Sequence, residues 1–101
     1  MEPPAGPPRA LRLDPADNVA VALRELAGGD VIALEPGPEL AARERIRAGH
    51  KLATQPIGCG DAVIKYHEVI GRATREIAPG EHVHTHNVVS ARLPGPEGKR
   101  P

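Results

Sequence analysis

The sequence predicts a mostly β domain with one amphipathic helix near its amino terminus. The main observation is a turn pattern, I-x-x-G-x-x-[LV], that begins at Ile46, Ile57 and Ile77, with a variant at Leu26. Each copy combines an apolar anchor, a glycine free to take positive φ and the start of a strand. The copies are unevenly spaced, so they indicate one β fold that reuses a turn rather than a solenoid. Only one stretch, close to the start, has convincing helical periodicity.

Length and composition bound the class of protein. A chain of 101 residues suffices for one domain with a modest core, and that core depends on Val, Ile, Leu and Ala because Phe and Trp are absent. Basic and acidic residues number 13 each, which argues against nucleic acid or an anionic membrane as partner. The single cysteine, Cys59, excludes an intrachain disulfide framework. No run resembles a signal peptide or a membrane span, so we expect a cytoplasmic protein.

Both ends of the chain are rich in proline and lack periodicity. We therefore expect disordered extensions over residues 1–9 and 93–101, around a folded unit at residues 10–92. The helix is predicted from Asp14, an N-cap candidate that is followed by Pro15 at the first helical position. Apolar residues then recur at helical spacing until Gly28-Gly29 ends the pattern; they are Val19, Leu23 and Leu26.

The remaining elements are predicted as strands. Val31–Leu34 has the profile of a short buried strand. Ala62–Tyr66 and Val69–Thr74 are expected to form a hairpin whose turn, His67-Glu68, places His67 where positive φ is needed. The final strand is predicted over Glu81–Ala91.

Three of the five histidines alternate along this last strand. His82, His84 and His86 would share one face, because successive side chains of a strand point to opposite sides. Neutral imidazole is a common metal ligand and titrates near neutral pH. The row therefore predicts a metal or proton-transfer site, and a solvated strand face rich in histidine is the competing interpretation.

Several separated motifs, in order, resemble one known family. GHKLA, VIKYHEVIGRAT and GEHVHTHNV, beginning at Gly49, Val63 and Gly80, are similar to the amino-terminal module of the altronate and galactarate dehydratases, as is DPADNVAVAL from Asp14. The resemblance implies a SAF domain with a β-clip fold, either fused to a larger domain or encoded as a separate small subunit. Sulfolactate sulfo-lyase has a small subunit of the same kind. His67 departs from the family, which commonly has glycine after the Lys-Tyr pair.

The resemblance implies a dehydration, in which a base removes the proton α to a carboxylate and the β-hydroxyl leaves. It also implies Fe²⁺ or another divalent metal, a sugar-acid substrate and a larger catalytic subunit, with homo-oligomerisation left open and the isolated chain inactive. Within that reaction the candidates for catalysis are His50 and Lys65, those for substrate binding are Lys51, Tyr66 and Asn87, and those for metal binding are His84, His86 and His82.

Each assignment has a competing interpretation. His50 could cap its turn, Lys65 could be solvated and Tyr66 could serve packing rather than chemistry. Cys59 is interpreted as a turn residue because elimination needs no covalent step. The whole chain could instead be the small subunit of a sulfo-lyase, which releases sulfite, or a non-catalytic SAF-type module that binds a carbohydrate or a protein.

Overall fold

A computed structural model describes residues 9–34 and 39–90. The proline-rich extensions predicted for the two ends fall almost entirely outside these residues. Within them the chain forms nine strands: β1 (Ala10–Leu11), β2 (Val19–Ala22), β3 (Val31–Ala33), β4 (Glu39–Ala41), β5 (Lys51–Ala53), β6 (Ala62–Lys65), β7 (Glu68–Ala73), β8 (His82–Val83) and β9 (Val88–Ser90). The prediction of a mostly β domain is confirmed. The described part contains no helix, and hence none able to cross a bilayer.

The strands form three small antiparallel sheets, in the orders β1-β2-β5-β8, β3-β4 and β6-β7-β9. The first sheet separates two apolar clusters, because neighbouring residues of a strand face opposite sides. In β5, for example, Leu52 packs into one cluster and Ala53 into the other. Side chains on both faces of the sheet are therefore buried, and its position is fixed from both sides.

The predicted amino-terminal helix is wrong. Val19–Ala22 is a strand, hydrogen-bonded between β1 and β5. The capping signal is locally real, since the Asp14 carboxylate accepts a hydrogen bond from the Ala16 N–H at 2.9 Å, but it caps a single turn. The alternating valines and alanines then pair on a buried sheet. The free energy gained by this packing exceeds the weak preference of these residues for a helix.

The repeated turn is confirmed and occurs four times. Gly29, Gly49, Gly60 and Gly80 all adopt positive φ, between 85° and 96°. In every copy the glycine N–H donates to the carbonyl of an alanine, and that alanine's N–H donates to the carbonyl of the residue after the glycine. The apolar anchors meet in pairs, with isolated bridges joining Leu26 to Ile46 and Ile57 to Ile77. The first turn is thus paired with the second and the third with the fourth, which gives two related halves.

The hairpin between β6 and β7 is also confirmed, but its turn is Tyr66-His67, one residue before the predicted His67-Glu68, because Glu68 pairs with Lys65 and belongs to β7. Tyr66 and His67 both have positive φ, at 61° and 63°, which is the backbone of a type I′ turn. The carboxylate of Asp17, only 2% exposed, accepts hydrogen bonds from both of their N–H groups at 2.8 Å. A buried acid from the segment predicted as helix therefore holds the left-handed turn.

The predicted continuous final strand is wrong. The chain leaves β8 after Val83, turns over residues 84–87 and resumes as β9 at Val88. The cause is Asn87, 1% exposed, whose side-chain amide accepts from the His84 N–H at 2.9 Å and donates to the His82 carbonyl at 2.8 Å. These bonds replace the ladder that a strand would need, so the histidines do not share a strand face.

Candidate functional site

Three histidines nevertheless meet, and one of them comes from a distant part of the chain. His50, His82 and His84 each offer a ring nitrogen, and the three nitrogens lie within 4.8 Å of one another. Nδ1 of His50 is 2.9 Å from Nε2 of His82. The rings of His50 and His84 stack with centroids 4.3 Å apart, and the other two pairs stack at 5.1 and 5.3 Å. We call these three residues the histidine cluster.

The pairing of β5 with β8 creates the cluster. In this antiparallel pair Lys51 is opposite Val83 and Leu52 is opposite His82. Continuing that register by one residue brings His50 opposite His84, so that the two rings can stack. The location of His50 therefore depends on strand pairing across 32 positions of sequence. The local pattern of histidines gives no information about this pairing.

His50 also occupies a special position in the repeated turn. The residue after the turn glycine is an acid in the other three copies: Asp30, Asp61 and Glu81. Each carboxylate accepts a hydrogen bond from a backbone N–H three residues earlier, at 2.6 to 3.0 Å. In the second copy the residue is histidine, and its ring contacts His82 instead. Aligning the four turns in the sequence would have singled out His50, because it alone lacks the capping carboxylate.

Two further residues hold the histidines in place. The Asn87 amide bonds to the backbone of His82 and His84, as described above, so this predicted substrate-binding residue uses its polar atoms within the chain. The Glu44 carboxylate accepts a hydrogen bond from the His82 N–H at 3.0 Å. His86 is not among the three residues whose ring nitrogens converge within 4.8 Å, and its ring is tilted against that of His82, with centroids 5.2 Å apart. Sequence reasoning did not identify Glu44.

The electrostatics of the cluster favour neutral imidazole. Partial burial lowers the pKa of His82, and the nearby rings of His86, His50 and His84 lower it further, while Glu44 opposes the shift. Burial also lowers the pKa of His84, with contributions from His50, Lys51 and His86. Neutral imidazole is the form that binds a metal or accepts a proton.

The donor set fits a borderline transition metal. Two imidazoles on one ion, each at about 2.1 Å, hold their nitrogens roughly 3 to 3.4 Å apart, close to the spacing of His50 and His82. The widest spacing in the cluster, 4.8 Å, would have to contract by side-chain rotation. Imidazole suits Zn²⁺, Fe²⁺ or Cu²⁺, whereas Mg²⁺ and Ca²⁺ prefer oxygen ligands.

Lys51 lies near the cluster, and the predicted tyrosine is at a hairpin tip. Lys51, half-buried, lines a cavity beside His84. Desolvation lowers the pKa of Lys51, and the positive charge of Lys65 adds to the effect. Tyr66 is 68% exposed in the β6–β7 turn. Cys59 is exposed in its turn and its thiol donates to the Thr74 carbonyl at 3.4 Å.

Comparisons with known proteins agree on one family. The sequence profile of the family described as "Altronate/galactarate dehydratase SAF domain" matches residues 8–91. The chain is 36% identical over 77 residues to an altronate dehydratase of Bacillus subtilis (strain 168) and 42% identical over 77 residues to one of Escherichia coli (strain K12). Each match covers 76% of this chain but 15% of the dehydratase.

A shorter relative is matched over most of its own length. The chain is 47% identical over 53 residues to "(2R)-sulfolactate sulfo-lyase subunit alpha" of Paracoccus pantotrophus, covering 52% of this chain and 79% of that subunit. The chain thus spans a small part of the dehydratases that it matches and most of this lyase subunit. Since the family profile covers nearly the whole sequence, the chain belongs to the altronate/galactarate dehydratase SAF domain family.

Proposed function

We propose that the chain is the small subunit of a sugar-acid dehydratase, and that its histidine cluster forms part of an active site completed by a larger subunit. The observation that carries this proposal is the convergence of three imidazole nitrogens within 4.8 Å on a domain of this family. A row of histidines that were only solvated would not explain why His50, from another turn, lies against His82 and His84.

The cluster is proposed as a site for Fe²⁺ or another divalent transition metal. His82 and His84 are ligands in this proposal, and His50 is the third candidate. His86 is an outer residue because its ring is tilted and it is not part of the group of nitrogens that converges within 4.8 Å. When bound, the ion would supply Lewis-acid stabilisation for the negative charge that develops on the substrate carboxylate.

The chain's own residues would accept the proton that is removed in the elimination and stabilise the negative charge that develops. An imidazole that does not hold the ion accepts the proton from the carbon next to the carboxylate, and His50 is the candidate. The β-hydroxyl then leaves as water after protonation. Lys51 places positive charge beside the cluster, and Lys65 is close enough to act on Lys51. These charges would stabilise the enediolate intermediate. Metal-binding and activity measurements on His50→Ala separate its two roles, since a pure base would leave metal affinity intact.

A larger partner is proposed for two reasons. The chain spans 15% of the altronate dehydratases that it matches. In addition, one carboxylate among the described residues, that of Glu44, is hydrogen-bonded to the cluster's backbone, whereas iron sites in enzymes commonly combine imidazole with carboxylate ligands. Oxygen ligands and additional substrate-binding groups would come from the other subunit.

The test is a dehydration assay with altronate and galactarate, using the chain alone, the large partner alone and the two together. We expect activity only in the mixture, and its loss with His82→Ala or His84→Ala. Full activity from either component alone would contradict the two-subunit proposal. Undiminished activity of the mixture after both His84→Ala and His86→Ala would identify the chain as a non-catalytic binding module.

A sulfo-lyase subunit is the second candidate. It is favoured by the match to 79% of the length of a sulfo-lyase subunit alpha. The leaving group separates the two candidates, because the dehydratase releases water and the sulfo-lyase releases sulfite. Sulfite production from sulfolactate by the reconstituted pair, without dehydration of sugar acids, would establish the second function.

A further inference from the structure

A cavity of about 200 Å³ adjoins the histidine cluster. His84 belongs to both, since it lines the cavity and stacks on His50. The cavity and the cluster therefore form one continuous site. Its lining residues are Lys51, Ile70, Val83, His84, Thr85, Val88 and Ser90.

The lining is apolar on one side and cationic on the other. Ile70 and Val88 are partly buried and offer aliphatic surface over the buried Val83, while Lys51 is the charged residue of the lining. Lys51 forms no ion pair with any carboxylate in residues 9–34 or 39–90. Lys65 adds a second positive charge close enough to act on it. A half-buried cation without a counter-ion, at the wall of a cavity, favours an anionic ligand.

We propose that this cavity binds the anionic end of a small organic acid. The carboxylate or sulfonate pairs with the Lys51 ammonium, and the first carbons lie against Ile70, Val83 and Val88. The carbon next to the anionic group then lies beside His84. This inference rests on the proposed function for the identity of the site, and it adds which end of the ligand this chain recognises.

The lining also limits what the chain recognises by itself. Thr85, Ser90 and His84 are the lining side chains besides Lys51 able to pair with a ligand hydroxyl. A polyhydroxylated tail would leave hydroxyls unpaired against aliphatic side chains, which is unfavourable. The tail of a longer acid therefore lies outside the cavity, and selection among acids falls to the partner subunit.

The experiment is an NMR titration of the isolated chain, without metal, with four probes: lactate, gluconate, isethionate and glycerol. The methyl groups of Ile70, Val83 and Val88 are the reporters. We expect saturable shifts with lactate and gluconate at similar affinity, and none with glycerol. Isethionate distinguishes the two anionic groups, because its binding would extend recognition to sulfonates.

Substitutions assign the contact. Lys51→Gln is expected to weaken lactate binding roughly tenfold, the loss typical of one charge-assisted contact. The exposed Arg24 is outside the lining, so Arg24→Gln serves as the matched control and should not change the affinity. Val88→Leu narrows the cavity and keeps every charge, so it should also weaken binding. This variant tests the inference if Lys51→Gln fails to fold.

Three outcomes would overturn the inference: no binding of lactate or gluconate, glycerol binding as well as lactate, or unchanged lactate affinity in both Lys51→Gln and Val88→Leu. These failures are distinct from failure of the proposed function. A chain that binds divalent metal but no acid contradicts the inference alone. A chain that binds acids but no metal contradicts the proposed metal role and leaves the cavity assignment intact.

Discussion

Nδ1 of His50 lies 2.9 Å from Nε2 of His82. At this distance one ring N–H can donate a hydrogen bond to the nitrogen of the other ring, and the tautomers of the two imidazoles set its direction. The contact joins the second turn of the repeat to the fourth. It makes the histidine cluster a property of the folded domain rather than of the H-x-H-x-H segment.

Removal of a cluster histidine should weaken metal binding strongly. Loss of residues that only support metal ligands typically costs about 10- to 100-fold in affinity, so His82→Ala or His84→Ala should cost about 100-fold or more. His86→Ala should cost less, because His86 is outside the histidine cluster and its ring is tilted against that of His82. Calorimetric titration with Zn²⁺ and with Fe²⁺ under anaerobic conditions measures the affinities.

The matched control is His67→Asn, since His67 lies in the β6–β7 turn and asparagine tolerates its positive φ. Equal losses in this control and in His82→Ala would show that binding is not specific to the cluster.

His50→Asp should stabilise the domain while removing an imidazole from the histidine cluster. The introduced carboxylate would stand where Asp30, Asp61 and Glu81 cap their own turns, and the backbone N–H of Arg47 is the equivalent donor. We expect the free energy of unfolding to rise by about 0.5–1.5 kcal/mol, the usual net contribution of one hydrogen bond. Urea denaturation of the metal-free protein measures it.

Asp61→Asn is the reciprocal control and should lower the stability of the protein. If His50→Asp proves less stable than the original protein, then His50 is not a functional replacement for a capping acid.

Asn87→Ala should destabilise the turn that presents His84. The substitution leaves the His84 N–H and the His82 carbonyl without their partner, which costs about 1–3 kcal/mol for a buried group. Metal affinity should fall as well, since the backbone of both ligands is released. Urea denaturation and calorimetry on the same variant give the two values, and a stability loss with unchanged metal affinity would show that the turn does not position the histidines.

The stability of the metal-free protein should fall below about pH 6.5, the ordinary pKa of histidine. The folded state lowers the pKa of His82 and His84, so below this pH the unfolded chain binds more protons than the folded one. Stability is therefore fully present above pH 6.5 and is lost as the pH falls through the lower pKa values of the folded state.

Urea denaturation at several pH values, with a chelator present, measures this dependence. The double variant His82→Gln, His84→Gln should show a shallower slope, and an identical slope would assign the dependence to other groups.

Local signals predicted local structure well. The Ile-x-x-Gly turns and the left-handed His67 were recognisable because each depends on residues adjacent in sequence, namely an apolar anchor, a residue able to take positive φ and a following strand. The Asp14 turn was recognised too, but its continuation as a helix was wrong. Asn18 and Asp17, which would have been in that helix, bond instead to β6 and to the hairpin after it.

The sequence by itself determined the mostly β class, the four turns, the family and the histidine-rich segment. Only the tertiary structure decided that Val19–Ala22 is a strand and that His50 joins His82 and His84. The physical reason is the range of the interactions. The residues that signal a turn are adjacent in sequence, whereas the β5–β8 register and the burial of both faces of its sheet depend on partners many residues away.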